Sequence, residues 1–348
     1  MGRNVVGLDI GTTAVRAAEM SARRGSAVLE RFGQVAVPAG AVVDGEVTDP
    51  DAVAAAIREL WRQARFTSKR VIMGVANQRV VVRLVDLPWM EPAELRKSLH
   101  FQVQEYIPIP VDDAELDFNI LGEHDGGDGQ RLMRVLLVAA QKEMIAGHLH
   151  AAERARLEPV GIDLTPFALM RSLAPSGGVL SEAGEALVDI GARVTNIVVQ
   201  ERGVPRFVRI LLMGGQDITD ALRQGLGLDQ DAAERAKLDA TTGQSDDQAV
   251  SRIVEQKVAA FVEEVRGSLD FYRAQSDGVP ISRVVLTGGG SRLGPLAERL
   301  RAALRLPVDS GRALEPVHVG RVGLAAEQLA EFEPIAAIPV GLALGGVS

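Results

Sequence analysis

Val6-Gly7-Leu8-Asp9-Ile10-Gly11 and Ala186-Leu187-Val188-Asp189-Ile190-Gly191 repeat one pattern, an apolar run closed by Asp-Ile-Gly. A β-prone segment follows each copy four residues later, so each reads as strand, tight turn, strand. The two acids stand 180 residues apart, close to half of the 348-residue chain. That period is too long for a solenoid unit, and it predicts duplicated halves facing one cleft.

The flanking sequence is α/β. Val5–Ile10 reads as a first strand, and a second lies near Val15–Glu19. A third follows the Arg23–Ser26 turn, from the short runs Ala27–Leu29 and Val35–Val37. Val53, Ile57, Leu60 and Trp61 give Asp51–Ala64 the spacing of an amphipathic helix, and Val71–Val75 is a buried strand. Residues 79–137 read as a small inserted subdomain: a strand over Val80–Leu87, a helix from Glu91-Pro92 through about Tyr106, a hairpin tip at His124–Gln130, and a strand over Arg134–Ala139. Leu95, Leu99, Val103 and Ile107 share one face of that helix, which the Tyr106–Pro110 stretch must end. Lys142–Leu157 follows as a helix. After the loose Pro175–Gly178 stretch come three strands (Ala186–Ile190, Thr195–Gln200, Arg206–Met213) and a helix-rich block over 216–276. A buried strand at Arg283–Leu286, a helix at Leu293–Leu304 and a buried helix at Ile335–Leu344 complete the chain.

Composition removes several classes of function. Apolar residues at 47% and charged residues at 24% are ordinary for a globular chain, and the length calls for two or more packed units. With 38 Lys+Arg against 46 Asp+Glu the net charge is −8, so there is no global footprint for nucleic acid. Cysteine is absent, which excludes disulfides, thiolate zinc sites and cysteine nucleophiles; the five histidines are scattered. His148 and His150, two apart on a helix, face different directions. The N-terminus carries an acid where a signal peptide needs an apolar core, and Pro334–Val347 falls short of the ~20 residues of a membrane span. The expectation is a cytoplasmic protein with no span of its own, reaching any membrane through a partner.

The acidic turns have a definite chemistry. Gly11, Thr12 and Thr13 can wrap an anion with backbone N–H groups, and the hydroxyls add donors. Asp9 would repel a phosphate there unless a cation lay between. Acids from two opposing halves suit Mg2+, which links carboxylates to substrate phosphates. A single Asp-Gly pair is usually a hairpin turn; two copies in matching settings favour function. Leu286-Thr287-Gly288-Gly289-Gly290-Ser291-Arg292-Leu293 is a glycine-rich strand-to-helix turn where a ligand can approach closely, though it is neither GxGxxG nor a P-loop. Glu234 and Lys237 share a helix face, to hold a ribose or simply each other.

In this order the elements resemble the actin-like ATPase superfamily, and within it the PilM family of type IV pilus assembly proteins, with the division protein FtsA next. The more particular matches are Val6–Arg16, Leu95 through Glu105-Tyr106-Ile107-Pro108, and Gly161–Ala168. The resemblance implies an α/β chain with two RNase-H-like lobes, ATP and Mg2+ between them. Residues 1–78 with 138–178 would form the first lobe core (1A), 79–137 the FtsA/PilM-type insert (1C), 179–215 with 281–348 the second core (2A), and 216–280 a helical subdomain (2B). Asp9, Gly11, Thr12 and Thr13 would then be one phosphate loop, and Asp189, Gly191, Arg193 and Thr195 the other. Asp9 and Asp189 would hold the metal, directly or through water. Glu234 and Lys237 would meet ribose and base, and Gly288, Gly289, Gly290 and Ser291 would pack on the adenosine. A PilN-like inner-membrane protein would place its cytoplasmic tail beside the insert, near Leu99, Val103 and Tyr106.

One departure bears on turnover. Hydrolysing relatives carry Gln or Glu in the first interlobe connection, whereas Gly161–Arg171 offers only Asp163 and Thr165. Asp163 is the candidate catalytic acid, and weak or absent ATPase activity is expected, with ATP mainly structural or regulatory. The rival readings are a filament-forming protein like FtsA, which would be a homo-oligomer, and a small-molecule kinase of the same superfamily. The other pilus platform proteins of the inner membrane are the further partners that the resemblance implies.

Overall fold

The computed structural model describes residues 4–23, 26–127, 129–174, 183–242, 244–275, 279–320 and 322–347. The expected turn at Arg24–Gly25 and the loose stretch Pro175–Gly178 lie outside them.

The first half builds β1 (Val5–Ile10), β2 (Ala14–Arg23), β3 (Ser26–Ala36), a two-residue pair β4 (Val42–Val43) and β5 (Glu46–Val47), α1 (Pro50–Ala64) and β6 (Arg70–Val75). The insert follows: β7 (Val80–Pro88), α2 (Pro92–Gln102), β8 (Ala114–Asp125) and β9 (Arg131–Gln141). Then come α3 (Lys142–Arg154), β10 (Glu158–Leu164) and α4 (Thr165–Ser172). The second half contains β11 (Gly184–Ile190), β12 (Thr195–Glu201), β13 (Val204–Leu211), α5 (Gly215–Leu226), α6 (Gln230–Thr241), α7 (Gln248–Arg273), β14 (Ile281–Thr287), α8 (Leu296–Leu304), β15 (Val308–Ser310), β16 (His318–Val319) and α9 (Ala326–Val347).

The two large sheets share one topology. The first runs β10-β6-β1-β2-β3, with β16 added at the β3 edge; the second runs β15-β14-β11-β12-β13. In both, the acidic strand pairs antiparallel with the next strand and parallel with a later one. This duplication gives the actin-like ATPase fold its two lobes. β1 and β11 are buried on both faces, as the apolar runs Val5–Leu8 and Ala186–Val188 ahead of their aspartates require. Helix α1 is set by Asp49, whose carboxylate caps the first turn, and by Pro50; it ends where Arg65 turns left-handed.

The closing helices change lobes. α4 packs on β11 and β12 of the second sheet, while α9 crosses back over β1 and β2 of the first. Their crossing needs glycine, since a Cβ on Gly341 would lie 1.9 Å from the Ala168 carbonyl oxygen. Gly7 is under the same constraint: its Cβ would lie 2.0 Å from the Pro339 carbonyl oxygen.

Three elements differ from the sequence reading. α2 ends at Gln102 rather than near Tyr106; Val103 already leaves the helix, and Tyr106 N–H turns back to the Val103 carbonyl ahead of Pro108. Part of the expected connection at Gly161–Arg171 is the strand β10, whose register slips between Pro159 and Gly161. α9 reaches back to Ala326 through two internal prolines, which makes it 22 residues, long and apolar enough by length and composition to cross a membrane. Its later half packs into the interior, with Ala336, Ala337, Val340, Leu342 and Ala343 all buried, while its first turns are largely exposed.

The insert is a three-stranded antiparallel sheet, β7-β9-β8, with β9 continuing past residue 137 to Gln141. One of its faces packs on α2 through Val85, Leu87, Leu95, Leu99, Val135 and Leu137.

Candidate functional site

Asp9 ends β1 directly opposite Arg16 on β2, and Asp189 ends β11 directly opposite Asn196 on β12. The intervening turns are closed in the same way, Gly11 N–H to the Ala14 carbonyl at 3.0 Å and Gly191 N–H to the Val194 carbonyl at 2.9 Å. Both acids, Gly11, Thr12, Thr13 and Gly191 line a single cavity of about 630 Å³ between the lobes, a size ordinary for a small-molecule site. The strand positions of the two halves therefore converge as the repeat requires.

The electrostatics are those of acids forced together away from water. Burial raises the Asp9 carboxyl above its usual range, against the pull of Arg16. Burial, and after it the charge of Asp9, push Asp189 up to about 7. Arg16 Nη1 lies 3.5 Å from Asp9 Oδ2, and its buried Nε has no hydrogen-bond partner among the described residues. Asn196, at the matching position in the second lobe, is satisfied: its amide donates to Asp189 Oδ2 at 3.2 Å and accepts the Thr165 hydroxyl at 3.1 Å.

The second lobe adds a helix end and a floor. α5 starts at the cleft, Gly215 N–H donates to the Gly191 carbonyl at 3.0 Å, and a Cβ on Gly214 would lie 2.4 Å from that same oxygen. The positive end of a 12-residue helix thus adjoins the acidic turn. Glu234 and Lys237 line the cavity from α6, where Lys237 Nζ donates to Glu234 at 2.7 Å and to Thr219 Oγ1 at 3.0 Å. Gly288, at φ 84°, Gly289 and Gly290 form the opposite wall; Gly288 N–H donates to the Pro334 carbonyl, which ties this turn to α9.

Several expected site residues stand elsewhere. Arg193 turns out of the cleft to Asp217 and Asp220. Thr195 is fully buried and donates its hydroxyl to the Met213 carbonyl, while Ser291 donates to Gly288 within its own turn. Asp163, the expected catalytic acid, is held by Arg171 and by Leu164 N–H and does not line the cavity. Leu99 and Val103 are buried core residues of the insert, and Tyr106 packs beside them half-buried. Other residues in the cavity wall went unassigned in the sequence: Arg16, Asn196, the α5 N-terminus and His148. Burial holds His148 below the usual histidine range, with Nδ1 against the Met144 carbonyl. Arg16 and Asn196 carried a signal, since each lies seven residues after its aspartate.

The residues fit an anionic ligand accompanied by a cation. A buried guanidinium nitrogen without a partner calls for an acceptor, and two buried carboxylates with raised pKa call for positive charge.

Comparison with known proteins follows this geometry. A family model described as Type IV pilus assembly protein PilM matches residues 7–347. A chain of the solved PilM-PilN type IV pilus biogenesis complex is similar over 100% of both chains, with a TM-score of 0.87 and 30% identity. MreB 5 of Spiroplasma citri, solved with AMPPNP, covers 98% of this chain and 95% of its own at TM-score 0.55 and 11% identity, a likeness of fold. The cell division protein FtsA of Bacillus subtilis is 27% identical over 261 residues, 67% of this chain and 57% of that protein. The chain thus spans little more than half the length of this relative.

Proposed function

The chain belongs to the PilM family of type IV pilus assembly proteins, and from that premise we propose that it is an ATP-binding scaffold of a pilus assembly machine. The observation that carries the nucleotide half is the convergence of Asp9 and Asp189, from equivalent turns of two lobes, on one cavity with Arg16 and the α5 N-terminus. Asp9 and Asp189 would hold Mg2+, which screens the acids from phosphate oxygens. Thr12 and Thr13 would give N–H groups to phosphates at a turn that Gly11 closes, as Gly191 closes its counterpart, Glu234 and Lys237 would reach the sugar and base, and the Gly288–Gly290 turn would pack on the adenosine. Asp163 is tied to Arg171 and does not line the cavity, and Thr165 is neutral, so the interlobe connection supplies no water-activating base among the residues the cavity reaches. Bound ATP therefore acts by favouring one arrangement of the lobes, with little turnover.

The partner half rests on the likeness to the PilM-PilN complex. A second recess, of about 710 Å³, lies between the insert's sheet, α4, the β12–β13 hairpin and the end of α9. Asn119, Leu136 and Val138 form one wall, with Phe167 and Met170 opposite and Leu344 at the end. This groove, mainly apolar with Asp117, Arg171 and Gln200 also in its lining, suits an extended segment, and we assign to it the cytoplasmic tail of a PilN-like inner-membrane protein, which would hold the chain at the inner membrane from the cytoplasmic side.

Calorimetry with ATP in excess Mg2+ tests the reading. Binding at micromolar or tighter Kd is expected, with negligible phosphate release. Asp9→Ala removes a charged contact worth about 1.5–3 kcal/mol, or roughly 10–100-fold in Kd. Absence of heat with the wild-type chain would sink the nucleotide reading.

A further inference from the structure

The two lobes differ at one pair of equivalent positions. Opposite Asp189 stands Asn196, neutral and hydrogen-bonded at both ends. Opposite Asp9 stands Arg16, charged, loosely paired at 3.5 Å and with a buried Nε that has no acceptor among the described residues. Its guanidinium lies over the Gly11 turn, where Nη1 would be 3.4 Å from a Cβ on that glycine. Arg16 thus occupies, with a positive charge, the corner of the cavity where two buried acids most need one, while its Nε is left without an acceptor among the described residues.

Resting on the nucleotide reading above, we infer that Arg16 is a resident counter-ion that admits cation and nucleotide only together. In the empty cleft its charge offsets Asp9 and Asp189, so a bare divalent ion meets a site already neutralised in part and gains little by entering. When a phosphate-bearing ligand arrives with its cation, the cation takes over the carboxylates, and the guanidinium swings its free N–H groups to a phosphate oxygen, a stronger charge-assisted pairing than the loose one it leaves. The cleft is thereby proofed against occupation by free Mg2+.

The test measures two affinities on the full chain, bare Mn2+ by electron paramagnetic resonance and Mg·ATP by calorimetry, in wild type and Arg16→Gln. Removing the charge should tighten bare Mn2+ and weaken Mg·ATP, each by roughly tenfold. Arg16→Lys, which keeps the charge, should leave Mn2+ binding near wild type, and Arg16→Met repeats the neutral test should the glutamine variant not fold. Movement of both affinities in the same direction, or unchanged Mn2+ binding in both neutral variants, would overturn the inference. A wild-type chain that fails to bind Mg·ATP would instead remove the reading on which it rests.

Discussion

Asp189 carries the sharpest consequence at the scale of single residues. Its carboxyl is pushed up to about 7 by burial and by the charge of Asp9, whereas an unfolded aspartate titrates near ~3.9. The folded chain therefore holds this proton more tightly than the unfolded chain does. Asp189 favours folding fully below about pH 4, and that contribution is lost as pH rises from about 4 to about 7. Asp189→Asn mimics the protonated form at every pH and keeps an acceptor for the Asn196 amide. The ligand-free variant should melt above wild type at pH 8 and close to it at pH 5, as followed by thermal unfolding in chelator. An equal gain at both pH values would mean that the carboxylate's charge is not what costs stability. The site was legible to the same depth: an acid at a strand end before a tight glycine turn is a local signal, and its repetition located both halves. What Arg193 and Thr195 do was not legible, because both follow the second turn in sequence while their side chains are taken by Asp217, Asp220 and the Met213 carbonyl, groups that only the folded chain brings near.

Among the elements, α9 shows how a helix can be specified by where its backbone must go. Gly341 sits in its buried stretch because the Ala168 carbonyl of α4 occupies the space of a Cβ. Gly267, in the exposed face of α7, has nothing within 4 Å of its own Cβ position. The same substitution should therefore have opposite signs. Gly267→Ala gains up to about 1 kcal/mol of helix propensity, while Gly341→Ala loses ~1–3 kcal/mol net because backbone cannot yield to the new methyl. Denaturant midpoints of the two variants decide it, and a Gly341→Ala chain as stable as wild type would mean that the α4–α9 crossing is looser than drawn. The elements that sequence reading missed have equally local causes. β10 hides because Pro159 and Gly161 interrupt its alternation at the bulge where its register slips. The expected helix Ile335–Leu344 starts too late because Pro334 usually marks a helix boundary, whereas here packing on two sheets holds the chain helical through Pro334 as well as Pro339.

For the whole molecule the exchanged helices matter most, since each touches both recesses. α4 presents Thr165 to the interlobe cavity and Phe167 and Met170 to the groove beside the insert; α9 presents Ile335 and Ile338 to the cavity and Leu344 to the groove. If ATP favours one lobe arrangement, these helices shift relative to the insert's sheet, and the groove changes with them. Linkage then requires that Mg·ATP alter the affinity for a tail peptide by the same factor as the peptide alters that for Mg·ATP, within the ~5–150-fold range usual for coupled sites. Four calorimetric titrations with the cytoplasmic tail of a PilN-like protein close this cycle. Asn119→Glu should weaken peptide binding by placing a charge on the recess wall, yet leave Mg·ATP affinity within about twofold, because this exposed residue lines the recess and not the cavity. Independent binding, with a factor of one in both directions, would show that the shared helices move as a single rigid block with both lobes, leaving ATP no route to the partner surface.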